Sequence, residues 1–253
     1  MPEAYERHLV PFSFRPFAID LAARAAALRP RTVLELAAGT GALTSALLTA
    51  VPAASVVATD LNEAMVIAGS AREPRADWWQ ADAQELPFED GSFDLVVCQF
   101  GVMFFPDRPA AYTEVRRVLT PQGRFLFNSW GPLASHGFGA AFQTALEQSM
   151  PEGAPPFLNA VPHGYSDPAV VTADLTAAGL TLANAEEVTL EGVAESAASV
   201  ATGFLTGTPV SAAVQAREDA QALQAAVTQR MTDRLGTGAV TAPMTATVYI
   251  AHP

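Results

Sequence analysis

Between Arg31 and Trp130 the chain alternates short β-branched apolar runs with stretches whose apolar residues recur every three or four positions. An unbroken apolar run suits a strand buried in a sheet, and a period of about 3.6 suits a helix laid on that sheet. Their alternation constrains the stretch to βαβ units around a mostly parallel sheet. Thr32 to Ala37 reads as the first strand, followed by a glycine turn and a helix over Ala42 to Ala50 that stops before Pro52. Ser55 to Thr59 is the next strand, with Asn62 as N-cap of a helix carrying Met65 and Ile67. Ala76 to Gln80 forms a third strand, and the apolar run Phe93 to Phe100 a fourth, buried on both faces. Pro109 suits the first turn of a helix towards Leu119, and Pro121-Gln122-Gly123 makes a turn into the strand Arg124 to Trp130.

Past Gly131 the punctuation changes. Pro151 to Pro168 is rich in proline and glycine and reads as a loop, with a helix from about Asp167 to Ala178 behind it. Leu182 to Leu190 fits a strand, and Met244 to Ile250 alternates as a strand does. Between them, Glu195 to Leu235 is helical in pattern and broken near Gly207 and Pro209, so a helical insertion over about residues 192–238 separates the last two strands.

Composition removes several classes of function. A chain of 253 residues, half of them hydrophobic, buries a full core as one domain over 1–253. A formal net charge of −12 repels nucleic acid and anionic membrane over most of the surface. Cys98 is the one cysteine, set in the apolar run Leu95-Val96-Val97-Cys98, so a disulfide framework and a multi-thiolate zinc site are ruled out, and no metal is expected. The segment Met1 to His8 lacks the basic start and apolar stretch of a secretion signal, and no apolar run is long enough to cross a bilayer. A cytoplasmic protein, monomer or homodimer, is expected.

Chemistry concentrates in Val33-Leu34-Glu35-Leu36-Ala37-Ala38-Gly39-Thr40-Gly41, a strand that ends in a glycine turn and opens a helix. Gly39 and Gly41 allow a ligand to approach the backbone where a Cβ would collide. Asp60 follows the next strand at the distance where a carboxylate accepts hydrogen bonds from ribose hydroxyls, so the pair points to a nucleoside. A dinucleotide turn would want glycine where this chain has Thr44, which disfavours pyrophosphate. Glu35 would repel a diphosphate yet could hold the ammonium of an amino acid, directly or through water. The ligand expected is therefore cationic.

Glu35 to Gly41 resembles the first motif of class I S-adenosylmethionine-dependent methyltransferases, with Ala37 where that family usually has glycine. Thr59-Asp60-Leu61-Asn62, then Gln80 to Phe88, then Ser92 to Val97, and finally Val118 to Arg124 follow in the family's order. The similarity covers about Thr32 to Trp130 and is closest to the branch that includes ubiquinone and menaquinone biosynthesis methyltransferases. It implies a Rossmann-like, seven-stranded, mostly parallel sheet with helices on both faces and an antiparallel last strand. Residues 1–30 would form a helical cover, 31–130 the cofactor-binding core and 131–253 the substrate-side half. The cofactor implied is S-adenosylmethionine, left as S-adenosylhomocysteine. Asp60 would hold the ribose, Asp82 and the Ala83 backbone would read the adenine edge, and Gly39, Thr40 and Gly41 with Ala37 and Glu35 would cradle the methionine part. Leu61 and Met65 would line the adenine, and Gln99 and Phe100 would close the methionine side.

A sulfonium methyl is a strong electrophile, so the protein mainly has to hold an acceptor in line and exclude water, a contribution of roughly 7 to 11 kcal/mol. A general base is needed only where the acceptor must lose a proton. His8 and His136 are the preferred bases, with His163 and Tyr165 as further candidates. Tyr5, Phe104 and Phe105 are assigned to the acceptor, and Phe12 and Phe14 add to an apolar wall, which implies a partly apolar small molecule. The competing readings are an NAD-dependent oxidoreductase and a non-catalytic protein that binds the same cofactor.

Overall fold

In the computed structural model, which describes residues 2–253, the alternating stretch is realised as parallel β-strands separated by helices. In chain order the elements are α1 (Pro2–His8), a π-helical turn (Val10–Phe14), α2 (Arg15–Leu28), β1 (Thr32–Leu36), α3 (Ala42–Ala50), β2 (Ser55–Asp60), α4 (Glu63–Arg72), β3 (Asp77–Gln80), β4 (Phe93–Gln99), α5 (Arg108–Val118) and β5 (Leu119–Trp130). There follow α6 (Gly137–Ser149), α7 (Phe157–Ala160), α8 (Pro168–Ala177), β6 (Thr181–Ala194), α9 (Ala197–Gly207), α10 (Val210–Gln215), α11 (Ala220–Leu235) and β7 (Val240–His252).

The seven strands form one sheet in the order β3-β2-β1-β4-β5-β7-β6. β1 pairs in parallel with β2 and β4, with Val33 opposite Val56 and Leu34 opposite Val96, and β5 pairs antiparallel with β7, Leu126 facing Ile250. Strand order reverses between β1 and β4, and a sheet wound outwards from such a point leaves a crevice at the strand ends where ligands bind. The helical insertion between the last two strands is present as α9, α10 and α11.

The chain forms two compact units, each gathered from separate stretches. Unit 2 comprises Phe17–Trp130, Tyr165–Val188 and Ala246–Pro253. Its core joins Ala18, Leu21, Ala22 and Ala25 of α2 to Val33, Leu95 and Leu126 of the sheet, all buried. α2 thus belongs with the core rather than with an N-terminal cover, because its alanine face lies flat on the strands. Cys98 is fully buried within β4, and its thiol is pushed up to about 12 by burial, so it is inert as a nucleophile.

Unit 1 comprises the residues up to Pro16, Gly131–Gly164 and Thr189–Thr245. α1 and α9 pack closely because α9 carries glycine where they meet: a Cβ on Gly203 would lie 2.8 Å from the His8 carbonyl oxygen, and one on Gly207 2.7 Å from Leu9. Phe12 meets Phe138 edge-on at 5.1 Å, and Phe142 stacks on Phe204 at 4.8 Å. Phe12 is therefore a core ring of this unit, not a pocket wall as its sequence setting suggested.

The expected turn at Pro121-Gln122-Gly123 lies inside β5, where the register jumps from Phe93↔Leu119 to Leu95↔Arg124 and leaves the intervening residues bulged out of the ladder. α6 was not foreseen, because Gly137 and Gly139 dilute its pattern, although Phe138, Phe142 and Leu146 recur at helical spacing and are all buried.

Candidate cofactor site

β1 delivers the chain to the turn at the reversal point, and three residues there adopt left-handed backbone: Ala37 (φ 52°), Gly39 (φ 58°) and Gly41 (φ 91°). The Ala38 amide donates to the Thr59 carbonyl at 2.9 Å, tying the turn to the end of β2. Asp60 completes the connection by accepting the Gly39 amide on Oδ2 and the Asn62 amide on Oδ1, each at 2.8 Å. Burial raises the Asp60 carboxyl above its ordinary value, against the two amides that hold it ionised. Glycine turn and carboxylate thus form one hydrogen-bonded unit of the kind the sequence spacing suggested.

Below the turn sits Glu35, buried within β1, its Oε2 accepting the Thr44 hydroxyl at 2.6 Å. Desolvation pushes its carboxyl up to about 8, with the Thr44 hydrogen bond opposing and Asp60 adding a smaller upward push. Thr44, read from sequence only as a missing glycine, is thus the partner of the buried acid. Trp78, which no sequence signal marked, supports the turn from β3: a Cβ on Gly41 would lie 3.3 Å from its ring, and one on Gly69 of α4 only 2.2 Å. Its indole nitrogen donates to the Glu73 carbonyl at 3.0 Å.

These residues fit an adenosyl sulfonium amino acid. A Cβ on Gly39 would meet nothing within 4 Å, so the turn faces open space there. The start of α3 supplies helix N-terminal amides, Asp60 an acceptor for ribose hydroxyls, and Glu35 a carboxylate for an ammonium. Thr40 and Gly41 are buried, and Ala37 and Gly39 are half-buried.

The other expected residues lie at or beyond the ends of β2, β3 and β4. Leu61 is 64 % exposed and Met65 half-buried, both beyond the end of β2. Gln99 is half-buried at the end of β4. The Phe100 ring is committed to the core, stacked on Trp130 at 3.6 Å and edge-on to Phe17 at 5.2 Å, so it does not close a ligand site with its face. Asp82 accepts both the backbone and the side-chain amide of Gln84, at 2.9 and 3.1 Å, which makes it a loop cap in this structure; Ala83 beside it is half-buried. Phe104 is 51 % exposed and Phe105 half-buried after β4.

In unit 1, His8 lies 3.3 Å from the Ser199 hydroxyl, and Tyr5 is half-buried with its ring 5.1 Å from Phe14. His136 is the buried N-cap of α6, its Nδ1 accepting the Gly139 amide at 3.0 Å, so its proton sits on Nε2. Burial, with His163 nearby, lowers it to about 3. A capping nitrogen cannot also take a proton, so the structure corrects His136 from base to cap. His163 donates from Nδ1 to the Gly131 carbonyl at 2.7 Å. In unit 2, the Tyr165 hydroxyl donates to Asp174 at 2.7 Å beneath the Arg108 guanidinium, and burial drives it upwards, which removes it from the candidate bases.

A left-handed glycine turn bonded to an acid at the end of the next strand, at the reversal point of such a sheet, defines a Rossmann-like fold. Residues 34–127 match the family described as a methyltransferase domain. The chain is 38 % identical over 135 residues to a demethylmenaquinone methyltransferase of Deinococcus radiodurans, covering 51 % of this chain and 56 % of that one. It is 36 % identical over 128 residues to a malonyl-[acyl-carrier protein] O-methyltransferase of Halorhodospira halophila, covering 48 % and 42 %. The fold is similar to the crystal structure of the YcgJ protein of Bacillus subtilis, with a TM-score of 0.59 at 20 % identity over 94 % of this chain and 98 % of that one. Over residues 34–127 the chain is thus similar to methyltransferase domains, and its curated relatives include ubiquinone and menaquinone biosynthesis methyltransferases. It spans about half the length of the curated relatives it matches.

Proposed function

We propose that the protein transfers the methyl group of S-adenosylmethionine to a small, partly apolar acceptor, with a quinone-type ring as the first candidate. The observation that carries this reading is the Gly39 to Asp60 hydrogen bond of 2.8 Å beneath a turn that faces open space. The bound cofactor supplies an electrophilic sulfonium methyl. The chain's own residues bind and orient it: Asp60 accepts from the ribose, the Gly39–Gly41 amides and Glu35 hold the amino-acid end, and Leu61 and Met65 flank the base. Phe104 and Phe105 are the side chains we assign to the acceptor. Thr44 favours this cofactor over a dinucleotide, because its buried hydroxyl and Glu35 occupy the place where a pyrophosphate turn needs glycine and no negative charge.

Relatives named for demethylmenaquinone and for malonyl-[acyl-carrier protein] act on chemically unlike acceptors, so the shared core leaves acceptor choice to the rest of the chain. The test is incubation with methyl-labelled cofactor and a cell extract, followed by identification of the labelled product. A labelled apolar small molecule is the expected result; label absent from every product, with S-adenosylhomocysteine still bound, would reduce the protein to a cofactor-binding module.

Protonation gives a second check. Glu35, neutral below about pH 8, must ionise to hold an ammonium, so cofactor binding releases a proton. Affinity should then rise between about pH 6 and about pH 7.5, where an α-amino group is still largely protonated, by up to about tenfold per unit. Calorimetry in buffers of different ionisation enthalpy measures the released proton, and Glu35→Gln should abolish it.

A further inference from the structure

The parallel strands β1, β4 and β5 of unit 2 begin at the edge opposite the glycine turn, and that edge holds a cavity of about 460 Å³ whose lining includes Arg29, Arg31, Asp94, Thr120, Gln122 and Arg124. All fourteen cations of the chain are arginines, and three of them meet here in a molecule of net charge −12. Such a concentration of one sign in a concave site focuses attraction for an opposite charge.

The three guanidinium groups are held in different ways. Arg124 donates from Nη1 to the Gln122 and Gly123 carbonyls, at 2.7 and 2.9 Å, which fixes one end of its fork. Arg31 makes a long 3.6 Å contact with Asp94, and its side chain is 89 % exposed. Arg29 ends α2 in left-handed backbone, φ 53°, with its amide donating to the Ala26 carbonyl at 3.1 Å. That position usually takes glycine, and a residue with a Cβ there costs roughly 1 to 2 kcal/mol. Backbone strain of this kind is found where a side chain is held for a purpose. Asp94 and the carbonyl end of α2 offset part of the charge, leaving a surplus of roughly one to two units. A monoanion would be held feebly against that opposition. The volume lies in the range of small-molecule sites and exceeds what a lone ion fills.

We infer that this cavity is a second binding site, for a soluble small molecule bearing a diphosphate, with Arg29, Arg31 and Arg124 on the phosphate oxygens and Thr120 and Gln122 as neutral donors. The site is independent of the methyl-transfer reading and of the glycine turn.

Titration of the full chain with inorganic diphosphate, at ionic strength held constant with chloride, tests it by calorimetry. Saturable one-site binding is expected, with inorganic phosphate binding much less tightly. Arg124→Ala should weaken binding about tenfold, the loss of one charge-assisted contact. Arg29→Gly should weaken it similarly while leaving the thermal midpoint unchanged or raised, because glycine relieves the left-handed backbone. Asp94→Asn should tighten it, by removal of the opposing carboxylate. Absence of saturable binding, equal binding of phosphate and diphosphate, or affinity untouched by both arginine variants would each overturn the inference.

Discussion

Ala37 stands in left-handed backbone, and the space for its methyl group comes from Gly101 on the neighbouring strand connection. A Cβ on Gly101 would lie 2.6 Å from the Ala37 Cβ and 2.6 Å from the Cys98 sulfur. Gly101→Ala should therefore destabilise the fold by about 1 to 3 kcal/mol, the usual cost of overpacking. Part of that loss should return in the Ala37→Gly background, and a double-mutant cycle by denaturant unfolding measures the coupling. Glu35 carries a pH signature as well. Its carboxyl titrates near 8 folded against an ordinary value of 4.5, so its contribution to stability is complete below 4.5 and is lost as pH climbs through 8. Relative to Glu35→Gln, the protein should lose a few kcal/mol over that window, read from unfolding midpoints across pH. A flat difference would mean that Glu35 is ionised throughout. The link between Asp60 and the glycine turn was legible because it follows from chain-local spacing. Trp78 and the Gln84 partner of Asp82 were not, since each depends on which side chain the fold brings alongside.

At the scale of elements, β1, β4 and the Phe125–Trp130 part of β5 follow the apolar runs because a strand buried on both faces leaves a continuous trace in the sequence. α6 left a fainter one, its cap being a histidine rather than serine, threonine, aspartate or asparagine. His136→Asn should preserve the cap and leave stability nearly unchanged, whereas His136→Ala should cost about 1 kcal/mol. Thermal unfolding distinguishes the two, and turnover in His136→Asn should stay near that of the unaltered protein. A collapse of turnover in that variant without loss of stability would restore His136 to the chemistry. The bulge in β5 was hidden for another reason: Pro121-Gln122-Gly123 has the composition of a turn, and nothing local says that the same strand resumes its ladder at Arg124.

At the scale of the molecule, the cofactor-binding part is nearly continuous in sequence, and residues 34–127 alone carry the family match. Unit 1 is assembled from three separated stretches, so the residues that meet in it share no local pattern. That is why a cofactor can be proposed from the sequence and an acceptor cannot. Among the described residues no helix is long and apolar enough to cross a membrane.

The Gly39–Asp60 cradle is proposed to grip an adenosyl sulfonium or its thioether product. Calorimetric titration with S-adenosylhomocysteine tests it most directly, on the unaltered chain and on Asp60→Ala. One-site binding is expected, weakened by roughly 30- to 1000-fold in the variant, equivalent to about 2 to 4 kcal/mol of lost charge-assisted hydrogen bonds. No binding to the unaltered chain, or equal affinity in both proteins, would contradict it.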